Sequence, residues 1–231
     1  MMLVSMLFVV LSVGQTFYPH HEAWLYNGRW DFTDVTAPRN GWSSCSVSIL
    51  FSPTAVIAEF LINDNGGNLF EVLVNSSAVS TISTNSSVSV YPIDLSSSTE
   101  WRVLTLRRRT EAYSVTPGYP FGPSTFKGVH FRYFSAPVEV QKPINQTIDD
   151  RKIEFIGDSL TCAYGVLGQY PCHWSPQTED SGVGWASLIA SHFSADLHIA
   201  AWSGKGMIRN YADPQTTSDW PLPALYNRTI G

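Results

Sequence analysis

The chain has 231 residues and a formal net charge of −5, with 44% hydrophobic, 14% charged and 13% aromatic residues. That length exceeds one small domain, and the apolar share is enough for a sizeable core, which excludes wholesale disorder. Arg107, Arg108 and Arg109 form the only basic run, so a nucleic-acid partner has no electrostatic footprint. In a strand-like stretch these arginines alternate between faces, with stems packed and heads in water.

Residues 1–16 read as a signal peptide. Met1 to Gly14 are nearly all apolar, a run shorter than the roughly 20 residues that span a bilayer. Small or polar residues (Ser12, Gly14, Gln15, Thr16) follow where cleavage could occur. No Lys or Arg precedes the run, and a buried N-terminal strand is the alternative. Four Asn-x-Ser/Thr sequons, at Asn75, Asn85, Asn145 and Asn227, agree with export and are candidates for glycosylation. The expectation is a secreted protein, free of the membrane once the leader is removed. Cys162 and Cys172 lie close enough in sequence to close a disulfide loop, leaving Cys45 over. No CxxC or His/Cys cluster has zinc-ligand spacing, and no metal or cofactor is expected.

Residues 17–140 show short alternating runs broken by turn residues: Val47 to Phe51, Ala55 to Leu61, Leu69 to Val74, Ser87 to Tyr91, Arg102 to Leu106 and Val129 to Phe134. Asn63 to Gly67 is strong turn chemistry. The pattern predicts an all-β sandwich, a jelly roll. Residues 141–150, at the end of a polar, proline-containing stretch, read as a linker.

From residue 151 to 231 the grammar changes. Ile153 to Ile156 is a short apolar strand, and Trp185, Leu188, Ile189, His192 and Phe193 recur at helical spacing. Leu197, Ile199 and Ala201 alternate as a second strand. This order predicts a βαβ unit and a parallel sheet, with Trp185 and His192 packed on the inner stripe of the helix.

Gly157-Asp158-Ser159-Leu160-Thr161 follows the first of those strands directly. A serine at the carboxyl end of a parallel strand projects into the crevice where α/β sheets place ligands. Its own N–H can face a developing oxyanion, while Asp158 can bond turn amides. The pentapeptide is not a G-x-S-x-G elbow, because Thr161 replaces the second glycine.

Gly157-Asp158-Ser159-Leu160 resembles block I of the GDSL/SGNH hydrolases, and Ala201-Trp202-Ser203-Gly204-Lys205-Gly206 resembles block II. The closer resemblance is to carbohydrate esterase family 2. It rests on Ile153 to Gly165, Ser203 to Gly206 with Arg209-Asn210-Tyr211, and Pro223 with Tyr226 to Thr229. Gly28-Arg29 and Arg108 to Ala112 resemble that family's N-terminal jelly-roll domain.

The resemblance implies an N-terminal jelly-roll β-sandwich followed by the first part of a flavodoxin-like α/β hydrolase domain. It implies acetyl removal from plant-type polysaccharide, xylan or glucomannan, through an acyl-serine intermediate. Ser159 would be the nucleophile, and the Ser159 and Gly204 amides would form the oxyanion hole with an asparagine. The family's asparagine and histidine lie downstream of block II, so both are expected beyond Gly231, and the chain as given is expected to be inactive. His173 is a substitute base by loop position alone. Asp158, Trp202, Trp174 and Trp220 are candidate substrate contacts, since sugar rings stack on aromatic faces. A monomer acting on acetylated glycan is expected. The rivals are a non-catalytic carbohydrate-binding protein with a decayed hydrolase half, and a small-ester GDSL hydrolase, against which the jelly roll argues.

Overall fold

The structure, a computed structural model, describes residues 13–111, 122–144, 151–173 and 175–230. The first strands are β1 (Val13–Phe17), β2 (Leu25–Asn27), β3 (Trp30–Asp31), β4 (Arg39–Asn40), β5 (Ser46–Phe51) and β6 (Ala55–Asn63). They continue with β7 (Leu69–Val74), β8 (Ser77–Ser83), β9 (Val90–Asp94), β10 (Arg102–Arg108), β11 (Ser124–Tyr133) and β12 (Val140–Gln141).

These form two antiparallel six-stranded sheets. One has the order β3-β4-β11-β6-β9 with β1 also on β11; the other has β12-β5-β10-β7-β8 with β2 on β5. Strict alternation makes the sandwich. Val47, Ile49 and Phe51 of β5 and Leu104 and Leu106 of β10 point inward against Phe60, Phe126 and Phe131 of the facing sheet. Each such buried side chain contributes about 1.5–3 kcal/mol. The turn at Asn63 to Gly67 carries the chain from β6 in one sheet to β7 in the other. Val13 to Phe17 pair in register with Tyr133 to Val129, so a leader ending at residue 16 would remove most of β1. Residues 1–12 of that leader lie outside the described residues.

The arginine triplet corrects one expectation. The three do alternate, but only Arg107 keeps a partly exposed head, paired with Glu71. Arg108 is 0% exposed, and donates to the Asn40, Gly122, Thr110 and Glu111 carbonyls and to Asn68 Oδ1. Carbonyl acceptors replace the water lost by its guanidinium. Arg109, also buried, pairs with Asp180 at 3.2 Å.

The second part contains β13 (Lys152–Gly157), a 3-10 turn (Pro176–Thr178), α1 (Trp185–His192), β14 (Asp196–Ala201) and α2 (Leu222–Tyr226). β13 and β14 pair in parallel, with Gly157 opposite Ala201. The helix inverts the predicted stripe. Ala186 and Ala190 are its buried residues, whereas Trp185, Leu188, Ile189 and Phe193 are 45%, 64%, 38% and 46% exposed, and His192 is exposed. Two alanines one turn apart let α1 lie close on the strands, which turns the bulky face outward. Both faces of α1 are apolar, so periodicity alone could not choose between them. Trp202, Leu222 and Leu225 join the core of the sandwich, so the two parts share one hydrophobic cluster.

Candidate active site

Because β13 and β14 are adjacent and parallel, the loops that leave their carboxyl ends lie side by side. Trp202 N–H bonds the Gly157 carbonyl at 3.2 Å, extending the ladder as far as the two motifs. Gly157-Asp158-Ser159 leaves β13 in a tight turn. A Cβ on Gly157 would stand 2.2 Å from Thr161 Oγ1 and 2.9 Å from Thr161 Cβ, so only glycine allows the exit over that buried threonine. Asp158 is exposed and its Oδ1 accepts the Leu160 N–H at 3.1 Å, the turn-forming part of its expected role. Its carbonyl accepts the Thr161 and Cys162 amides. Ser159 is partly exposed, and its carbonyl accepts the Tyr164 amide at 2.9 Å. Trp185 Nε1 donates to the Leu160 carbonyl at 2.9 Å, and its ring meets Phe155 edge-on at 5.0 Å. Trp185 thus braces the serine turn from outside, a role the core assignment missed.

On the β14 side, Gly204 adopts φ +76°, a left-handed conformation that L side chains avoid. Its carbonyl accepts the Tyr211 N–H at 2.8 Å, which folds the loop back on itself. Gly206 donates to Asn210 Oδ1 and accepts from Leu222, tying the loop to α2. Ser203 N–H donates to Glu111 Oε2 at 2.6 Å, a partner from the sandwich. Among the described residues neither the Ser159 nor the Gly204 amide has a hydrogen-bond partner. The two residues follow the carboxyl ends of the paired parallel strands β13 and β14.

Other expected residues fall differently. Trp202 is 4% exposed and meets Trp42 edge-on at 6.5 Å, so it is a core residue and not a glycan platform. It turns inward because the end of β14 abuts the sandwich. Trp220 is 56% exposed with the Arg228 guanidinium 4.7 Å over its ring. Trp174 lies outside the described residues. Cys162 and Cys172 are not bonded to each other: Cys162 is buried beside Glu111 and Ser43, and Cys172 is a partly exposed free thiol. Cys162 packs with Ala186, Ile199 and Ala201 of the α/β part, whereas Cys172 Sγ lies against Gly165 and Gly168. Cys45 is a third free thiol, donating to the Arg29 carbonyl at 3.2 Å. Burial pushes the Cys45 thiol up to about 11 and the Cys162 thiol well above its usual value.

No histidine bonds Ser159 among the described residues. His173 is exposed, His130 bonds Thr16, and His198 stands opposite Glu154 on β14. Burial lowers the His198 pKa, with Glu154 pulling the other way. Asn75, Asn85 and Asn227 are exposed, and Asn145 lies outside the described residues. Among the described residues no cluster of His, Cys, Asp and Glu could hold a metal, and no helix is long and apolar enough to cross a membrane.

Residues 26–132 match the family model described as carbohydrate esterase 2 N-terminal. The chain is 34% identical over 191 residues to the cellulase/esterase CelE of Acetivibrio thermocellus, covering 81% of this chain and 21% of that protein. It is 29% identical over 192 residues to an acetylxylan esterase / glucomannan deacetylase of Cellvibrio japonicus, covering 82% of this chain and 48% of that one. A solved structure of a family two carbohydrate esterase from Clostridium thermocellum, in complex with cellohexaose, superposes with a TM-score of 0.73 at 30% identity. That alignment covers 89% of this chain and 58% of the solved one, so this chain spans between about a fifth and three fifths of these relatives. Residues 26–132 thus match the N-terminal domain of carbohydrate esterase family 2, and the chain as a whole is similar to esterases of that family, which fit the GDSL/SGNH hydrolases.

Proposed function

We propose that this chain is the N-terminal portion of a secreted serine esterase that removes acetyl groups from plant-type polysaccharide, xylan or glucomannan. The observation that carries the proposal is the parallel pairing of β13 with β14, whose following loops carry Ser159 and Gly204, neither amide having a partner among the described residues. Ser159 Oγ attacks the acetyl carbonyl carbon as a base takes its proton. The tetrahedral oxyanion is held by the Ser159 and Gly204 amides, and collapse expels the sugar hydroxyl, which takes a proton back. Water then attacks the acetyl-serine, releasing acetate and restoring the hydroxyl. The scheme also calls for a base, a histidine, and a third oxyanion donor, an asparagine. No cofactor enters the scheme.

Residues 1–16 hold the leader, the sequons carry glycan, and the protein acts as a monomer on the glycan chain. The similarity to the acetylxylan esterase / glucomannan deacetylase of Cellvibrio japonicus supports the substrate class. A second reading, a non-catalytic glycan-binding protein, is favoured by the relative solved with cellohexaose and by the exposed Trp220.

The test is acetate release from acetylated xylan by a gene product extended past Gly231, beside its Ser159→Ala variant. Release by the first and none by the second supports the esterase. No release from a folded protein, or equal release from both, sinks the esterase; xylan binding retained in both would then favour the second reading.

A further inference from the structure

Glu111 follows β10 and is carried by the sandwich, yet its carboxyl makes its bonds in the α/β part. Oε2 accepts the Ser203 amide, the one immediately before Gly204, at 2.6 Å. The Cys162 thiol, three residues after Ser159 and 0% exposed, interacts with the same carboxyl and with the Ser43 hydroxyl. The Glu111 carbonyl accepts from the buried Arg108 guanidinium at 3.3 Å, which fixes the backbone that presents the side chain. Glu111 itself is 6% exposed. One carboxyl therefore touches both loops that leave the parallel strands, from the segment that follows β10.

A carboxylate in such a place is costly to bury, and an apolar side chain would fill the volume at less expense. What it adds is a hydrogen bond to one backbone N–H, which an apolar side chain cannot make. We propose that Glu111 is the positioning residue of the oxyanion loop, setting Ser203-Gly204 against the serine turn from the sandwich. This rests on the esterase reading of Ser159 and Gly204. It gives the jelly roll a part in the reaction, because a displacement of about 1 Å in such a site costs about 10²-fold in rate.

Three proteins extended past Gly231, wild type, Glu111→Gln and Glu111→Ala, are compared by steady-state acetate release, thermal unfolding, and labelling of Cys162 with an aromatic disulfide reagent read by peptide mass. In the alanine variant kcat falls about 10²-fold while KM stays within about twofold, and Cys162 becomes labelled. The glutamine variant, whose Oε1 still accepts the Ser203 amide, regains most of kcat, keeps Cys162 protected and melts no lower than wild type. Wild-type kcat in the alanine variant, or losses of kcat that only follow losses of melting temperature in both variants, overturns the proposal. Should the alanine variant not fold, Glu111→Asp draws the carboxyl back by one methylene; reduced kcat with Cys162 labelled supports positioning, and unchanged kcat overturns it. If wild type releases no acetate, the esterase reading fails by itself and labelling decides the anchor. Exposure of Cys162 in the alanine variant alone supports it, and equal protection in all three sinks it.

Discussion

The Arg29 guanidinium donates to Glu154 Oε1 at 2.8 Å, joining the β2–β3 turn of the sandwich to the parallel strand that leads to Ser159. The same guanidinium stands 4.4 Å from the Tyr226 ring and 5.5 Å from the Trp42 ring, and it donates to the Tyr226 carbonyl. Three segments thus converge on one planar cation, whose fork bonds while its faces stack.

Removal of that cation is expected to loosen the two parts together. Arg29→Ala should lower the unfolding free energy by about 2 kcal/mol, the sum of a stacked cation and a charged bond to a backbone carbonyl. Arg29→Lys should recover less than half, since an ammonium cannot bond and stack at once. Denaturant unfolding of the chain measures both. A loss below about 0.5 kcal/mol would class the contact with ordinary surface ion pairs.

The same latch gives an acid-side signature. Burial pushes the Glu154 carboxyl up, but the Tyr226 hydroxyl and Arg29 outweigh it, and the pKa lies below the usual glutamate value. A depressed folded pKa contributes stability that is present above the unfolded value, about 4.3, and is lost as pH falls through the folded value. The stability difference between wild type and Glu154→Gln should therefore be steady near neutrality and shrink below about pH 4. Melting temperatures across that range decide it, and a difference that grows on acidification would contradict the latch.

Arg108 sits where a charge is tolerated because backbone carbonyls and Asn68 Oδ1 accept its N–H groups. Arg108→Met leaves the Gly122, Asn40 and Glu111 carbonyls unpaired in a dry site, so stability should fall by about 3–5 kcal/mol, and Arg108→Lys should restore little of it. Equilibrium unfolding in urea measures this; a loss under about 1 kcal/mol would mean that water reaches these carbonyls.

Much of this arrangement was legible in the sequence, and the rest was not for specific reasons. Strict alternation in Ser46 to Phe51 and Arg102 to Arg108 marks strands that bury one face, and both formed as read. Ser77–Ser83 gave no signal because it is an edge strand whose apolar residues are few, with Val79 half exposed. The order of the two loop motifs, with a helix and a strand between them, implied their meeting at one sheet edge. Glu111 was part of a recognisable stretch, yet its bond to Ser203 spans 92 positions and has no local pattern. Trp202 read as a candidate substrate contact, because only the docking of β14 on the sandwich decides which way its ring turns.

The three thiols should separate sharply. Cys172 is partly exposed, whereas Cys45 and Cys162 are buried with raised pKa values, so one thiol should react quickly with an aromatic disulfide reagent in the native chain. All three should react after unfolding. A native count of one followed by three supports free thiols, while an unfolded count of one would show that Cys162 and Cys172 are bridged.

Gly204 distinguishes a turn former from an oxyanion donor. A methyl group there would meet only Tyr211 Cβ, at an ordinary 3.9 Å, so Gly204→Ala is penalised by its φ of +76° and not by crowding. The backbone cost is about 1–2 kcal/mol, which a shared core of this size absorbs without unfolding. In a product extended past Gly231, relaxation of φ would rotate the peptide plane that bears the Gly204 N–H, and acetate release should fall by about 10²–10³-fold. The loss should appear in kcat, since the oxyanion exists only along the reaction path. A variant that loses the expected stability yet keeps its kcat would leave Gly204 as a turn former alone and pass the oxyanion to the Ser159 amide and donors elsewhere.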